Sequence, residues 1–94
     1  MWGMPRRSGP RSVTVLSRAG CHLCAEMVQG VRAVAGRDQP VEVVDLDDAL
    51  ATGALDPAEH ERWTTLVPVL LVDGREVAHY RITPEEVRRA LRRR

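Results

Sequence analysis

The stretch Val13-Thr14-Val15-Leu16-Ser17-Arg18-Ala19-Gly20-Cys21-His22-Leu23-Cys24 decides how this chain of 94 residues is read. Its first four residues are apolar or β-branched, and the run closes on Ser17 before the turn-forming Arg18-Ala19-Gly20, which predicts a strand over 13–17. From Cys21 the apolar residues Cys24, Met27, Val28, Val31, Val34 and Ala35 recur at the three- and four-residue steps of one helical face, and Gly36 is placed to end the run. Pro40 then introduces Val41-Glu42-Val43-Val44-Asp45, a second β-branched strand. Strand, helix and strand in that order pair in parallel through a right-handed crossover. The chain's two cysteines, Cys21 and Cys24, therefore fall where the first strand hands over to the helix.

Beyond Asp47 and Asp48 the periodicity weakens and Gly53 interrupts it. The next clear signal is Asp56-Pro57-Ala58-Glu59, which supplies an N-cap, a proline at the first helical position and a glutamate at the third, and predicts a short helix to about Trp63. Val69–Val72 and Arg75–Tyr80 flank Asp73-Gly74, the dipeptide that most readily adopts a two-residue turn with positive φ, so they form an antiparallel hairpin. Thr83-Pro84-Glu85-Glu86 repeats the capping chemistry, with Ile82 packing on Val87 as a staple and Val87, Ala90 and Leu91 facing inward. The expected order is β-α-β-α-β-β-α, an α/β fold with a four-stranded mixed sheet and helices on both faces. Residues 1–12, with Gly3, Pro5, Gly9, Pro10 and three arginines, show no periodic apolar pattern and are expected to be a flexible N-terminal arm ahead of one domain, 13–94.

Composition narrows the function classes. Hydrophobic residues at 44% and charged residues at 29% match an ordinary globular chain, which argues against disorder and membrane embedding. The longest strongly apolar stretch, Leu66–Val72, is far short of the roughly 20 residues of a membrane span. No apolar segment follows the basic N-terminal residues as it would in a secretory signal, so the expected location is the cytoplasm. A net charge of +1 argues against a strong nucleic-acid binder. The basic residues are all arginine and gather at the ends, Arg6, Arg7 and Arg11 at one, and Arg88, Arg89, Arg92, Arg93 and Arg94 at the other. They read as a solubilising tail and a basic last helical turn that suits the helix dipole, the other reading being a weak contact with RNA or an acidic partner. Trp2, Trp63 and Tyr80 are the aromatic residues, so the core is aliphatic and base-stacking platforms are lacking.

Two cysteines separated by two residues at a helix start read as a redox pair rather than a structural staple, because a bond closing so short a loop does little to the unfolded chain's entropy. Cys21 lies where free backbone N–H groups and the positive helix dipole favour a thiolate, and Cys24 lies one turn inside on the apolar face. Cys21 is thus the expected nucleophile, forming a mixed disulfide with a substrate, and Cys24 the resolving thiol. His22, when protonated, adds positive charge or a hydrogen bond near the sulfurs and favours the thiolate, or else is an exposed first-turn residue without a special role. Other readings of the pair are two small buried hydrophobes, a dimer that shares zinc or an iron–sulfur cluster through Cys21, or a non-catalytic interaction module. No metal site is expected within one chain, since one Cys-x-x-Cys is half a zinc site, His22 is badly directed to complete it, and His60 and His79 lack ligand spacing.

The element order, the Cys21-His22-Leu23-Cys24 position and the Val67-Pro68 step together resemble a glutaredoxin, within the thioredoxin fold, over about Ser12–Leu91. The resemblance implies a cis peptide bond at Pro68 facing the redox pair, a backbone at Val67 that receives a thiol peptide, and an Arg18 that pairs with a ligand carboxylate, although a loop arginine in that place is also ordinary. It implies no tightly bound cofactor, glutathione or another low-molecular-weight thiol as electron donor, a protein or small-molecule disulfide as substrate, and a monomer. The chain departs from the pattern at His22-Leu23, where a Pro-aromatic pair is usual, and at Ala78-His79-Tyr80-Arg81, which replaces Gly-Gly-x-x-Asp. Thioredoxin itself is a poorer match, because Gly20 stands where it has a tryptophan and Val15 lies near the place of its buried aspartate. With Leu66-Val67-Pro68-Val69-Leu70-Leu71 and a hairpin leading to Thr83-Pro84-Glu85, the sequence is most similar to small bacterial glutaredoxin-like proteins.

Overall fold

In a computed structural model the described residues are 11–92. The elements are β1 (Val13–Ser17), α1 (His22–Ala35), β2 (Glu42–Asp45), α2 (Leu46–Thr52), α3 (Pro57–Thr64), β3 (Val69–Val72), β4 (Arg75–His79) and α4 (Pro84–Arg92). The strands form one sheet in the order β2-β1-β3-β4. β1 runs parallel to β2, with Val15 opposite Val43, and antiparallel to β3, with Val15 opposite Leu70. β3 and β4 are antiparallel and join at Asp73-Gly74, whose φ values of 53° and 80° give the positive-φ turn that the dipeptide predicts.

Period-two alternation divides the core between the two faces of the sheet. Val13, Val15, Leu70 and Val72 pack with Met27 and Val31 of α1 and Val87 and Ala90 of α4. Leu16 and Val69 pack on the opposite face with Leu46 of α2, and Trp63 of α3 closes over them. Helices thus lie on both faces. No helix among the described residues is long and apolar enough to cross a membrane.

The expected three helices are corrected to four. The addition is α2, which follows β2 without a loop: the Asp45 side chain accepts hydrogen bonds from the N–H groups of Asp47 at 2.9 Å and Asp48 at 3.0 Å, and both acids suit the positive end of the helix dipole. Gly53 is its left-handed C-cap at φ 81°, so the glycine that interrupts the pattern is the stop signal of a helix. Two strand limits also differ. β2 begins at Glu42 rather than Val41, and β4 ends at His79 because Tyr80 turns to φ 69° and leaves the strand. The capped helix starts follow the sequence: Glu59 N–H donates to Asp56 Oδ1 at 2.8 Å, and Thr83 and Glu86 cap one another reciprocally at 2.9 and 3.1 Å.

Residues 1–10 of the expected arm and the terminal Arg93 and Arg94 lie outside the described residues. Arg11 and Ser12, the last two residues of that arm, are fastened to the domain. The Arg11 guanidinium donates to Asp73 Oδ2 at 2.7 and 2.9 Å and to the carbonyls of Ala90 and Leu91 at 3.2 and 2.7 Å. Its backbone exchanges two hydrogen bonds with the Gln39 amide, at 2.8 and 2.6 Å. One side chain and its peptide therefore tie the hairpin turn, the end of α4 and the α1–β2 loop to the start of β1, and the last carbonyls of α4 gain a cationic partner.

The Asp73 carboxyl is held below its ordinary value, first by the Arg11 guanidinium and then by the Ser12 N–H. A carboxyl lowered in the folded state adds stability above the ordinary carboxylate range, and that stability is lost as pH falls through the lowered value. Asp73→Asn keeps the turn chemistry and removes the charge. Urea unfolding at pH 7 should show a loss of up to about 1 kcal/mol, the scale of a partly exposed pair, and the variant should destabilise less steeply than the parent below about pH 4. Equal stability at pH 7 and equal acid slopes would remove Arg11–Asp73 from the account of stability.

Candidate active site

Gly20, at φ 75°, turns the chain out of β1 into α1, a conformation that a residue with a Cβ adopts only at a cost. Cys21 follows as the N-cap, extended at φ −97° and ψ 110°, and its sulfur accepts the N–H of Cys24 at 3.2 Å. A cysteine here does what serine or aspartate does at other helix starts. The Cys24 side chain points into the core side of α1 at 2% exposure, whereas Cys21 is half-buried. The two sulfurs lie at disulfide distance, with Cα atoms 5.2 Å apart. They are chemically unequal: one is partly exposed beside the free N–H groups of the first turn, the other is buried on the same helix face as Met27 and Val31.

An open groove of about 690 Å³ starts at this pair. Arg18, Cys21, His22 and Cys24 line its near end, and Ala25, Val28, Val43 and Arg32 carry it along α1 beside the β2 edge. His22 is exposed. Val67 and Pro68 are not among its lining residues. The Val67–Pro68 peptide is cis, as the resemblance implies, and Pro68 is fully buried at the start of β3. Four of the residues singled out in the sequence thus share one groove, and the other two belong to the segment that leads into β3.

Arg18 is not a free loop arginine. Its Nε donates to Asp47 Oδ2 at 3.3 Å, and His60 Nε2–H donates to Asp47 Oδ1 at 2.8 Å, so the loop before Cys21 is latched to α2 and α3. Sequence reading missed Asp47 and His60 in this place. Their one local signal was Asp47's position in the first turn of a helix that had not been recognised. Tyr80 was missed as well: its N–H donates to the Pro68 carbonyl and its hydroxyl to the Thr65 carbonyl, both at 2.8 Å, which pins the loop carrying Val67 and Pro68 from two sides. Among the described residues no three His, Cys, Asp or Glu side chains converge as a metal site.

A four-stranded mixed sheet with helices on both faces, a Cys-x-x-Cys pair at the N-terminus of α1 and a cis-proline before β3 define a thioredoxin-like fold of the glutaredoxin type. Residues 12–92 match the family model described as Glutaredoxin-like domain (DUF836), and the chain belongs to that family. Uncharacterized proteins of Mycobacterium tuberculosis (Rv0508, strain ATCC 25618 / H37Rv) and Mycobacterium bovis (Mb0520) are each 32% identical over 79 residues, covering 81% of this chain and 77% of theirs. The solution NMR structure of protein Ne2328 from Nitrosomonas europaea superposes with a TM-score of 0.66 at 26% identity, over 94% of this chain and 99% of that one.

The Asp47 carboxyl is held below its ordinary value, chiefly by the hydrogen bond from His60 and then by Arg18. The latch is therefore intact above the ordinary carboxylate range and opens as pH falls through Asp47's lowered value. NMR of the arginine side chains should show an Arg18 Nε–H resonance that exchanges slowly at pH 7, and that broadens both in Asp47→Asn and in the parent below about pH 4. An Arg18 signal indifferent to both changes would contradict the latch.

Proposed function

We propose that the protein is a thiol–disulfide oxidoreductase that cycles Cys21 and Cys24 between dithiol and intramolecular disulfide. The observation that carries this reading is the unequal placement of two sulfurs at disulfide distance, Cys21 as the N-cap of α1 and Cys24 buried one turn on. The reaction balances with a disulfide substrate. The Cys21 thiolate attacks one substrate sulfur, the substrate S–S bond breaks, and the first substrate thiol leaves. The Cys24 thiol gives up its proton and attacks Cys21 Sγ, so the second substrate thiol departs and the Cys21–Cys24 bond forms. Two electrons have passed from the protein to the substrate. Cys21 is favoured as attacker because the Cys24 N–H already donates to its sulfur and the first-turn N–H groups stabilise a thiolate.

His22, exposed beside the pair, supplies positive charge near the leaving sulfur when protonated. Arg18 orients an anionic part of the substrate to the extent that Asp47 releases it, and the Val67 backbone before cis-Pro68 receives the extended chain that carries the substrate sulfur. A low-molecular-weight thiol, glutathione or another, restores the dithiol without any tightly bound cofactor, and one chain is sufficient for the cycle. The working site is the cytoplasm, where a lone Cys-x-x-Cys is more useful as a redox pair than as a staple.

A redox titration of the purified protein, read by alkylation and intact mass, should give a single two-electron transition between two free thiols and none. Cys21→Ser should abolish reduction of a disulfide substrate, whereas Cys24→Ser should accumulate the mixed disulfide on Cys21. Equal activity in both variants would overturn the assigned roles. A pair that stays reduced throughout, or links only between chains, would favour the metal- or cluster-bridged dimer.

A further inference from the structure

We propose that the groove between α1 and the β2 edge docks an extended, acidic segment flanking the reactive cysteine of a protein disulfide, with Arg32 as its specificity-determining residue. The inference rests on the oxidoreductase reading and names its substrate class. The groove opens on Cys21 at one end and on Arg32 at the other, and no Asp or Glu lines it. Glu26, the acid of α1, lines a separate cleft beside Tyr80 and Ile82. The floor is apolar, formed by Ala25, Val28 and Val43, and Val43 is 42% exposed on an edge strand where a β-branched side chain gains from being covered.

The charges at its two ends differ in availability. Arg18 is engaged by Asp47, so its charge is largely neutralised before a ligand arrives. Arg32 forms no ion pair among the described residues and reaches across the groove end to the Val41 carbonyl through one Nη2 contact of 3.4 Å. A guanidinium has five N–H donors, so most of its fork is free for a carboxylate. Arg32 also suits the negative end of α1, and its charge alone would say little. Its place at the far end of a carboxylate-free groove that leads to the redox sulfur singles it out.

Length selects the occupant. Cys21 and Arg32 are eleven positions apart on α1, a rise of roughly 16 Å, which an extended chain covers in about five residues. A small thiol bound at Cys21 cannot also reach Arg32. A protein segment can, placing an apolar residue over Val28 and Val43 and an acidic one at the guanidinium.

The test uses the pre-reduced full chain and symmetric disulfides of single-cysteine peptides, with an apolar residue beside the cysteine and Glu or Lys about five residues away on either side. Oxidation of the protein is followed by alkylation and mass, with neutral bis(2-hydroxyethyl) disulfide run in parallel. The better-placed Glu peptide should oxidise the parent about fivefold faster than its Lys counterpart, the upper range for an exposed ion pair. Arg32→Glu should abolish or invert that ratio, and Arg88→Glu, an equal charge change on α4, should keep it. Equal rates for Glu and Lys peptides, or a preference that survives Arg32→Glu, would overturn the groove assignment while the neutral disulfide still reacts. If the neutral disulfide also fails to oxidise the protein, the oxidoreductase reading falls and this assignment with it.

Discussion

Where β1 ends, α1 has to start with a residue that takes an extended backbone and accepts a first-turn N–H, and Cys21 meets both demands. The position is set from below, because β1 is bonded to β2 on one side and β3 on the other and cannot slip its register without turning Val13 and Val15 out of the core. Gly20 makes the turn. The periodicity of α1 then leaves no choice for Cys24, which falls on the stripe of Met27 and Val31 and is buried with them. The difference in burial and hydrogen bonding between the two sulfurs is a consequence of where the helix begins. It needs no special residue around the pair.

Opposite ends of the central strand do different work. At the start of β1, Arg11 gathers the hairpin turn, the end of α4 and the α1–β2 loop through charge-assisted and backbone hydrogen bonds. At its end, polar contacts are fewer and the cysteine pair faces an open groove. The Arg18–Asp47–His60 contacts hold the loop before Cys21 from the side of α2 and α3, and the face of the pair that meets the groove is left open.

Much of this architecture was legible because local signals agreed with one another. The short β-branched run gave β1 to the residue, the Asp73-Gly74 dipeptide gave the hairpin and with it β3, and Asp56 and Thr83 marked two helix starts. The helix α2 was overlooked because seven residues are too few for an apolar period to declare itself, so its signals were confined to its ends, Asp45 and Gly53. The cysteine pair and Pro68 could be placed from sequence for a similar reason: a strand end, a helix start and a proline before a buried run are local patterns. Arg11 with Asp73, and Arg18 with Asp47, are separated by 62 and 29 positions, and no local pattern reports such pairs. Tyr80 was hidden by its own conformation, since a tyrosine at positive φ ends a strand that its residue type favours.

The latch on Arg18 changes how the electrostatics of the site should be understood. A basic residue three positions before a nucleophilic cysteine suggests a cation waiting for a ligand, yet Asp47 lies within 3.3 Å of it and is itself fixed by His60 at 2.8 Å. At that separation the two charges screen each other over distances beyond a few ångströms, and Cys21 feels a dipole rather than a full positive charge. Stabilisation of a Cys21 thiolate then falls mainly to the N–H groups of the first turn of α1, which are fixed by the backbone and insensitive to side-chain motion. A ligand carboxylate that reaches the Arg18 Nη groups meets a guanidinium whose charge Asp47 already offsets, so the added bond yields less net energy than one to an unpaired guanidinium. Charge-based selection is stronger where a guanidinium is held without an acidic partner. Within the groove that opens on Cys21, that residue is Arg32.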